Sequence, residues 1–169
     1  MNNNLFLIGP MGSGKTSIGR RLAKALKKTF YDLDHEIETQ TGVKIPWIFD
    51  LEGEAGFRKR EHETLKILVE KSNIVLSTGG GAILSSDNRE LLKQHGTVIY
   101  LMTSPEQQYV RVYRDKNRPL VANAENPKEK LSGLLEQREK FYRNTADLTF
   151  KTDGKSVVDL VKTITQEFK

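Results

Sequence analysis

Leu5-Phe6-Leu7-Ile8 runs directly into Gly9-Pro10-Met11-Gly12-Ser13-Gly14-Lys15-Thr16, and Ile18, Leu22, Ala25 and Leu26 then recur at helical spacing. Four apolar residues, a glycine-rich turn and an amphipathic segment make the order strand, loop, helix. The turn fits G-x-x-x-x-G-K-[ST] at every fixed position. Glycines at 9, 12 and 14 let the backbone bend so that successive N–H groups face one concavity, to which the following helix adds its N-terminal partial positive charge. Such a concavity fits a phosphate chain. Lys15 reaches its β- and γ-phosphates as a compact charge, and the Thr16 hydroxyl suits Mg²⁺. The bland alternative is a glycine-rich turn before an ordinary helix; the strand on one side and the helix on the other speak against it.

Outward from this loop, strand-sized apolar runs at Phe30–Leu33, Ile74–Leu76, Val98–Leu101 and Leu148–Phe150 alternate with helical spacing such as Val157, Leu160, Val161, Ile164 and Phe168. Repeated strand–helix–strand order predicts an α/β fold whose parallel sheet is covered on both faces. Ser104-Pro105 reads as an N-cap followed by proline at the first helical position, and Asp34 sits where it caps a helix ended by Gly42. Two stretches break the alternation. Gly42 to Arg60 reads as helical pieces inserted before the third strand, and Lys116 to Pro127 is polar; insertions of this kind commonly carry substrate contacts. With no repeat, low-complexity tract or linker, residues 1–169 read as one domain.

Mg²⁺ sites of this type usually draw on a carboxylate beside the loop, yet the third strand ends Ser77-Thr78-Gly79 without one. Phe30-Tyr31-Asp32-Leu33-Asp34 offers two acids alternating with apolar residues, predicted to emerge on one side of a strand end. Asp32, nearer the sheet, suits the metal through water, and Asp34 suits a substrate hydroxyl or the helix cap, or both. Gly79, Gly80 and Gly81 are more glycine than a turn needs, and they let backbone N–H groups approach a small ligand. Arg58, Arg118 and Arg138 are candidates for bidentate grip on carboxylate or phosphate; taken singly, each also reads as a solvated surface arginine. Arg138 has the better case, because it falls on the Leu131, Leu134, Leu135, Tyr142 face, where a charge needs a partner. His35, His62 and His95 show no ligand spacing, and Trp47, Phe49 and Phe57 are expected to fill the core beneath the insertion.

The 169 residues are 37% hydrophobic and 29% charged, with 27 basic and 22 acidic residues giving a formal charge of +5. The absence of cysteine removes disulfides, thiol nucleophiles and Cys-ligated zinc, and suits a reducing compartment. No stretch approaches the ~20 apolar residues of a membrane span, so a cytoplasmic protein without membrane attachment is expected. Six bases between Lys15 and Lys28 with no acid account for the surplus, and only Lys15 among them has a defined task. The aromatic residues are dispersed and form no basic, stacking stripe, so a nucleic-acid partner is not expected.

In six segments the chain resembles the shikimate kinase family: GPMGSGKTSIGRRLA, FYDLDHEIE, IFDLEGEAGFR, LSTGGGAI, RDKNRPL and REKFY, in this order and nearly end to end. That resemblance implies a three-layer P-loop kinase fold with a five-stranded parallel sheet flanked by helices, a substrate-binding insertion at about 33–61 and a lid at about 113–127. It implies transfer of the γ-phosphoryl of ATP to the 3-hydroxyl of shikimate, with one Mg²⁺ per site, in the route to chorismate and the aromatic amino acids. By the same likeness Asp34, Arg58, Gly79, Gly80, Gly81 and Arg138 hold shikimate; Gly12, Ser13, Gly14, Lys15, Thr16, Ser17, Arg118 and Lys155 bind ATP; Thr16 and Asp32 serve the metal; and Lys15, Asp34 and Arg118 are catalytic. A monomer is expected. The nearest rival is a kinase of the same architecture acting on another polyol acid such as gluconate.

Overall fold

The computed structural model describes residues 3–113 and 124–169. The first strand, β1 (Leu5–Ile8), is the centre of a five-stranded sheet in the order β2-β3-β1-β4-β5, where β2 is Thr29–Asp32, β3 Ile74–Ser77, β4 Thr97–Met102 and β5 Leu148–Lys151. Every neighbouring pair is parallel. Seven α-helices are present among the described residues: α1 (Lys15–Leu26), α2 (Leu33–Thr41), α3 (Ile45–Val69), α4 (Ser86–His95), α5 (Pro105–Val112), α6 (Pro127–Thr145) and α7 (Val157–Gln166).

The period-2 alternation of the inner strands sorts the core into two layers. Leu5 and Leu7 join Val75, Ile99 and Leu101 against Ile18 and Leu22 of α1 and Leu160 and Ile164 of α7. Phe6 and Ile8 join Leu76, Val98 and Tyr100 against Leu65 and Leu68 of α3, Leu92 of α4 and Tyr142 of α6. Strands buried on both faces are why these segments read as continuous apolar runs. Because all five strands point the same way, the loops after β1, β3, β4 and β5 and the β2–α2 junction emerge together at one edge of the sheet.

Two expectations are corrected at that edge. The apolar run predicts a second strand through Leu33, but the strand ends at Asp32 and Leu33 is the first residue of α2. Leu33 is fully buried, so an apolar residue is required there in either state and its hydrophobicity carries no information on the boundary. The helix cap therefore falls on Asp32 and not on Asp34. The Asp32 backbone is extended, and its side chain accepts from the His35 N–H. Asp34 lies in the first turn of α2. The expected end at Gly42 holds, with φ 73° in the left-handed region.

The insertion before β3 is α2 followed by α3, and α3 is two helical pieces meeting at Gly53, whose φ of 69° and ψ of −176° break the helical path. Ile48 and Phe57 are buried beneath it. Phe49 is half-buried and packs against Phe57, with ring centroids 4.7 Å apart and 30° between planes, at the core as expected. Trp47 is not in the core but exposed. It neighbours the buried Ile48 on a helix, where consecutive positions face different sides.

Candidate active site

The phosphate loop is built by backbone strain that only glycine carries cheaply: Gly12 and Gly14 have φ of 79° and 87°, and Gly14 opens α1 with no side-chain cap on the helix N-terminus. Lys15 is buried and lies across its own loop, donating from Nζ to the carbonyls of Gly9 at 2.7 Å and Pro10 at 2.9 Å. Its ammonium thus sits inside the concavity the loop forms. Ser13 is buried, whereas Thr16 and Ser17 are exposed in the first turn of α1. The Thr16 hydroxyl donates to Asp32 Oδ2 at 2.8 Å, so one carboxylate both caps α2 and meets the loop. From α5, Arg111 donates to the Gly12 carbonyl at 2.8 Å. Burial lowers the pKa of its guanidinium while the nearby Asp153 charge opposes that fall.

Beside β1, the chain leaves β3 through Gly79-Gly80-Gly81, and here the reason for glycine is space. Gly81 has an ordinary φ of −99°, but a Cβ on it would lie 2.7 Å from Arg58 Cζ and nearer still to Nη2. A Cβ on Gly79 would lie 3.0 Å from Asp34 Oδ1 and 3.3 Å from Glu61 Oε2, and one on Gly80 would lie 3.4 Å from the Met11 nitrogen and 3.5 Å from Arg138 Nη1. The three glycines are therefore the floor of a chamber walled by Asp34, Arg58, Glu61 and Arg138, next to the phosphate loop.

Within the chamber, Arg58 donates from Nη1 to both carboxylate oxygens of Glu61, at 3.0 and 3.2 Å. Glu61 is 1% exposed. Burial raises its pKa, the Arg58 charge pulls it back, and the neighbouring Asp34 charge pushes it up again. Arg138 is 7% exposed, and among the described residues the buried Nε atoms of Arg58 and Arg138 have no hydrogen-bond partner. Two guanidinium edges thus keep buried donors for an acceptor that the described residues do not supply. An anion of matching shape meets that need, because a planar guanidinium pairs with a carboxylate through parallel N–H bonds.

The shikimate kinase family model matches residues 11–169. The chain belongs to the shikimate kinase family. It is 52% identical over 163 residues to a shikimate kinase of Acinetobacter baumannii (strain AYE), covering 96% of this chain and 90% of that one. It is 53% identical over 161 residues to a shikimate kinase of Nitrosococcus oceani, covering 95% and 84%. Among solved structures, the Acinetobacter baumannii shikimate kinase in complex with shikimate superposes with a TM-score of 0.95 at 50% identity, over 99% of this chain and 93% of that one. The shikimate kinase of Aquifex aeolicus superposes with a TM-score of 0.84 at 37% identity, over 98% and 95%. The P-loop kinase fold expected for the family is the fold observed.

Of the residues picked from the sequence of this shikimate kinase family member, Gly12 to Ser17 and Asp32 come together on the phosphate side. Asp34, Arg58, Gly79 to Gly81 and Arg138 come together on the other. Arg118 and most of the expected lid lie outside the described residues. Lys155 is exposed in the turn after β5, where its backbone N–H donates to the Thr152 carbonyl at 3.2 Å. Glu61 and Arg111 lie outside every motif read from the sequence, and Tyr142, the last residue of REKFY, has no role assigned to it there; its hydroxyl donates to the Gly80 carbonyl at 2.5 Å. Glu61 nevertheless has a signal. It shares a helical stripe with Leu65 and Leu68 and follows Arg58 by three residues, the same charge-on-an-apolar-face pattern that singles out Arg138.

Among the described residues no helix is long and apolar enough to cross a membrane, and no group of three or more His, Asp or Glu side chains is gathered as a metal cluster.

Proposed function

We propose that this chain transfers the γ-phosphoryl of ATP to the 3-hydroxyl of shikimate, giving 3-phosphoshikimate and ADP. The observation that carries the reading is the chamber itself: Asp34, Arg58 and Arg138 converge on Gly79 to Gly81, and Gly80 lies against the phosphate loop at Met11. Acceptor and donor are thereby held side by side, which is most of what phosphoryl transfer asks of a protein. The buried Nε donors of Arg58 and Arg138 take the shikimate carboxylate. Gluconate also has a carboxylate, so it is included among the acceptors tested.

Asp34 orients the reacting hydroxyl and accepts its proton as the oxygen–phosphorus bond forms. Lys15 turns its ammonium from the loop carbonyls toward the β- and γ-phosphates, which the backbone N–H groups of Gly12 to Ser17 cradle. Thr16 and Asp32 together offer a hydroxyl and a carboxylate at the mouth of that cradle, hard oxygen donors that would hold one Mg²⁺, Thr16 by its hydroxyl and Asp32 through water. When bound there, the ion neutralises charge developing on the phosphate oxygens. Arg118 supplies further positive charge from the lid, and Lys155 borders the nucleotide from the turn after β5.

The test is ADP release measured with shikimate, quinate, gluconate and nucleoside monophosphates side by side. Turnover with shikimate at least about tenfold above every other acceptor is expected, a threshold well below the discrimination a hydrogen-bonding site can reach. Preference for gluconate or a nucleoside monophosphate overturns the assignment.

A further inference from the structure

We infer that Tyr142 is a positioning residue for the acceptor, setting the Gly80 carbonyl and the Arg138 guanidinium through one buried hydroxyl. Arg138 and Tyr142 are four residues apart on α6, so their side chains share a face of the helix. Tyr142 is fully buried, and a fully buried aromatic position needs only a phenylalanine if its role is to fill volume. Here the hydroxyl donates to the Gly80 carbonyl at 2.5 Å, and Arg138, one turn back on the same helix face, lies near enough for its charge to act on that hydroxyl. Burial pushes the Tyr142 pKa up to about 12, with the Arg138 charge opposing, so the hydroxyl stays a protonated donor at neutral pH. Gly80 is itself the residue whose Cβ would approach Arg138 Nη1 at 3.5 Å, so the hydroxyl sits where the glycine floor and the arginine wall meet.

The ring cannot drift from this place. It stacks on Tyr100 of β4, with centroids 5.0 Å apart and 19° between planes. The Tyr100 hydroxyl donates to Glu139 Oε2 at 2.5 Å, and Glu139 pairs with Arg143 at 2.7 Å. Both tyrosines therefore fasten α6 to the sheet, but only the Tyr142 hydroxyl is directed at the chamber. Its loss leaves the packing intact, frees the Gly80 carbonyl and relaxes Arg138.

This inference rests on the reading that Arg138 takes the shikimate carboxylate above the Gly80 floor, and the experiment separates the two. Titration calorimetry with shikimate, its methyl ester and ADP is run on the wild type and on Tyr142→Phe, Tyr100→Phe and Arg138→Lys. Tyr142→Phe is expected to weaken shikimate binding about three- to tenfold, the range of one neutral hydrogen bond, while ester and ADP binding stay at wild-type values. Tyr100→Phe, which keeps the Tyr142 hydroxyl, is expected to bind all three ligands normally. Unchanged shikimate affinity in Tyr142→Phe overturns the inference. So does equal weakening of shikimate and ester, or the same loss in Tyr100→Phe, since either result assigns the effect to packing. Arg138→Lys reports on the underlying reading: failure to weaken shikimate more than the ester removes Arg138 from carboxylate recognition, and the inference on Tyr142 falls with it.

Discussion

Replacing Gly81 by alanine displaces Arg58 without otherwise disturbing the fold. The new Cβ would lie 2.7 Å from Arg58 Cζ and nearer still to Nη2, so the guanidinium must withdraw. The backbone does not object, since φ −99° and ψ −1° are open to alanine. The substitution itself gains about 0.4–1 kcal/mol from a less flexible unfolded chain. Withdrawal breaks the contacts from Arg58 to both oxygens of Glu61 and removes one of the two chamber arginines. A hydrogen bond to a charged group contributes about 1.5–3 kcal/mol, which at ~1.4 kcal/mol per decade converts to a shikimate KM raised roughly 10- to 150-fold. Glu61 loses the charge that offsets its burial, which pushes its pKa further up, and Tm is expected to fall by about 2–6 °C. A coupled ADP-release assay gives KM for shikimate and for ATP separately, and ATP KM should stay within about twofold, since uniform binding of the other substrate is untouched. Gly133→Ala, whose Cβ meets nothing within 4 Å, is the control and should leave both constants alone. An unchanged shikimate KM in the Gly81 variant would refute the placement of Arg58; equal rises in both constants would point to a distorted loop instead.

Asp34→Asn should fold normally and lose kcat by roughly 10²-fold or more, the scale of a lost base and orienting group; kcat near the wild-type value removes Asp34 from the reaction. For Glu61 the expected readout is the pH dependence of stability. Its pKa is raised in the folded state by burial, so the folded chain holds more protons than the unfolded chain above the ordinary value of 4.5, and stability falls as pH climbs from there through the folded pKa. Glu61→Gln cannot titrate, so the stability of the wild type relative to this variant should decline with rising pH in denaturant melts. A relative stability that is flat or rises over that interval contradicts the buried, partly compensated carboxylate.

The architecture was legible because its signals are local. Four consecutive apolar residues, a loop motif and a helical stripe follow one another without interruption from Leu5 to Leu26, and each parallel strand must be apolar on both faces wherever it sits. Boundaries were less so at β2, where Leu33 satisfies strand and helix alike and only the cap on Asp32 decides between them. Trp47 shows the same limit from the other side: its hydrophobicity argued for the core, but the helix turns it outward beside the buried Ile48. Composition in a short helix cannot fix phase when one apolar residue follows another.

The chamber was legible by residue type but not by arrangement, and Glu61 explains the difference. Each basic residue looks in isolation like a solvated surface charge, and for Arg60 that reading is right, since it pairs with Glu52 on the exposed side of α3. Arg58 and Arg60 stand two positions apart, more than half a helical turn, which puts Arg58 next to the stripe of Phe57, Glu61 and Leu65 and sends Arg60 away from it. A charge forced onto a buried stripe requires a counter-charge and a ligand-facing exit. The chain provides both: Glu61 three residues on, and a glycine at position 81 with no side chain to block the guanidinium. The pairing of Arg58 with Glu61 is a local, helix-encoded contact, whereas the approach of Arg58 to Gly81 spans β3 and depends on the sheet order placing that strand next to β1. Helical phase selects which arginine enters the chamber; the parallel topology then brings the glycine floor and the phosphate loop to it.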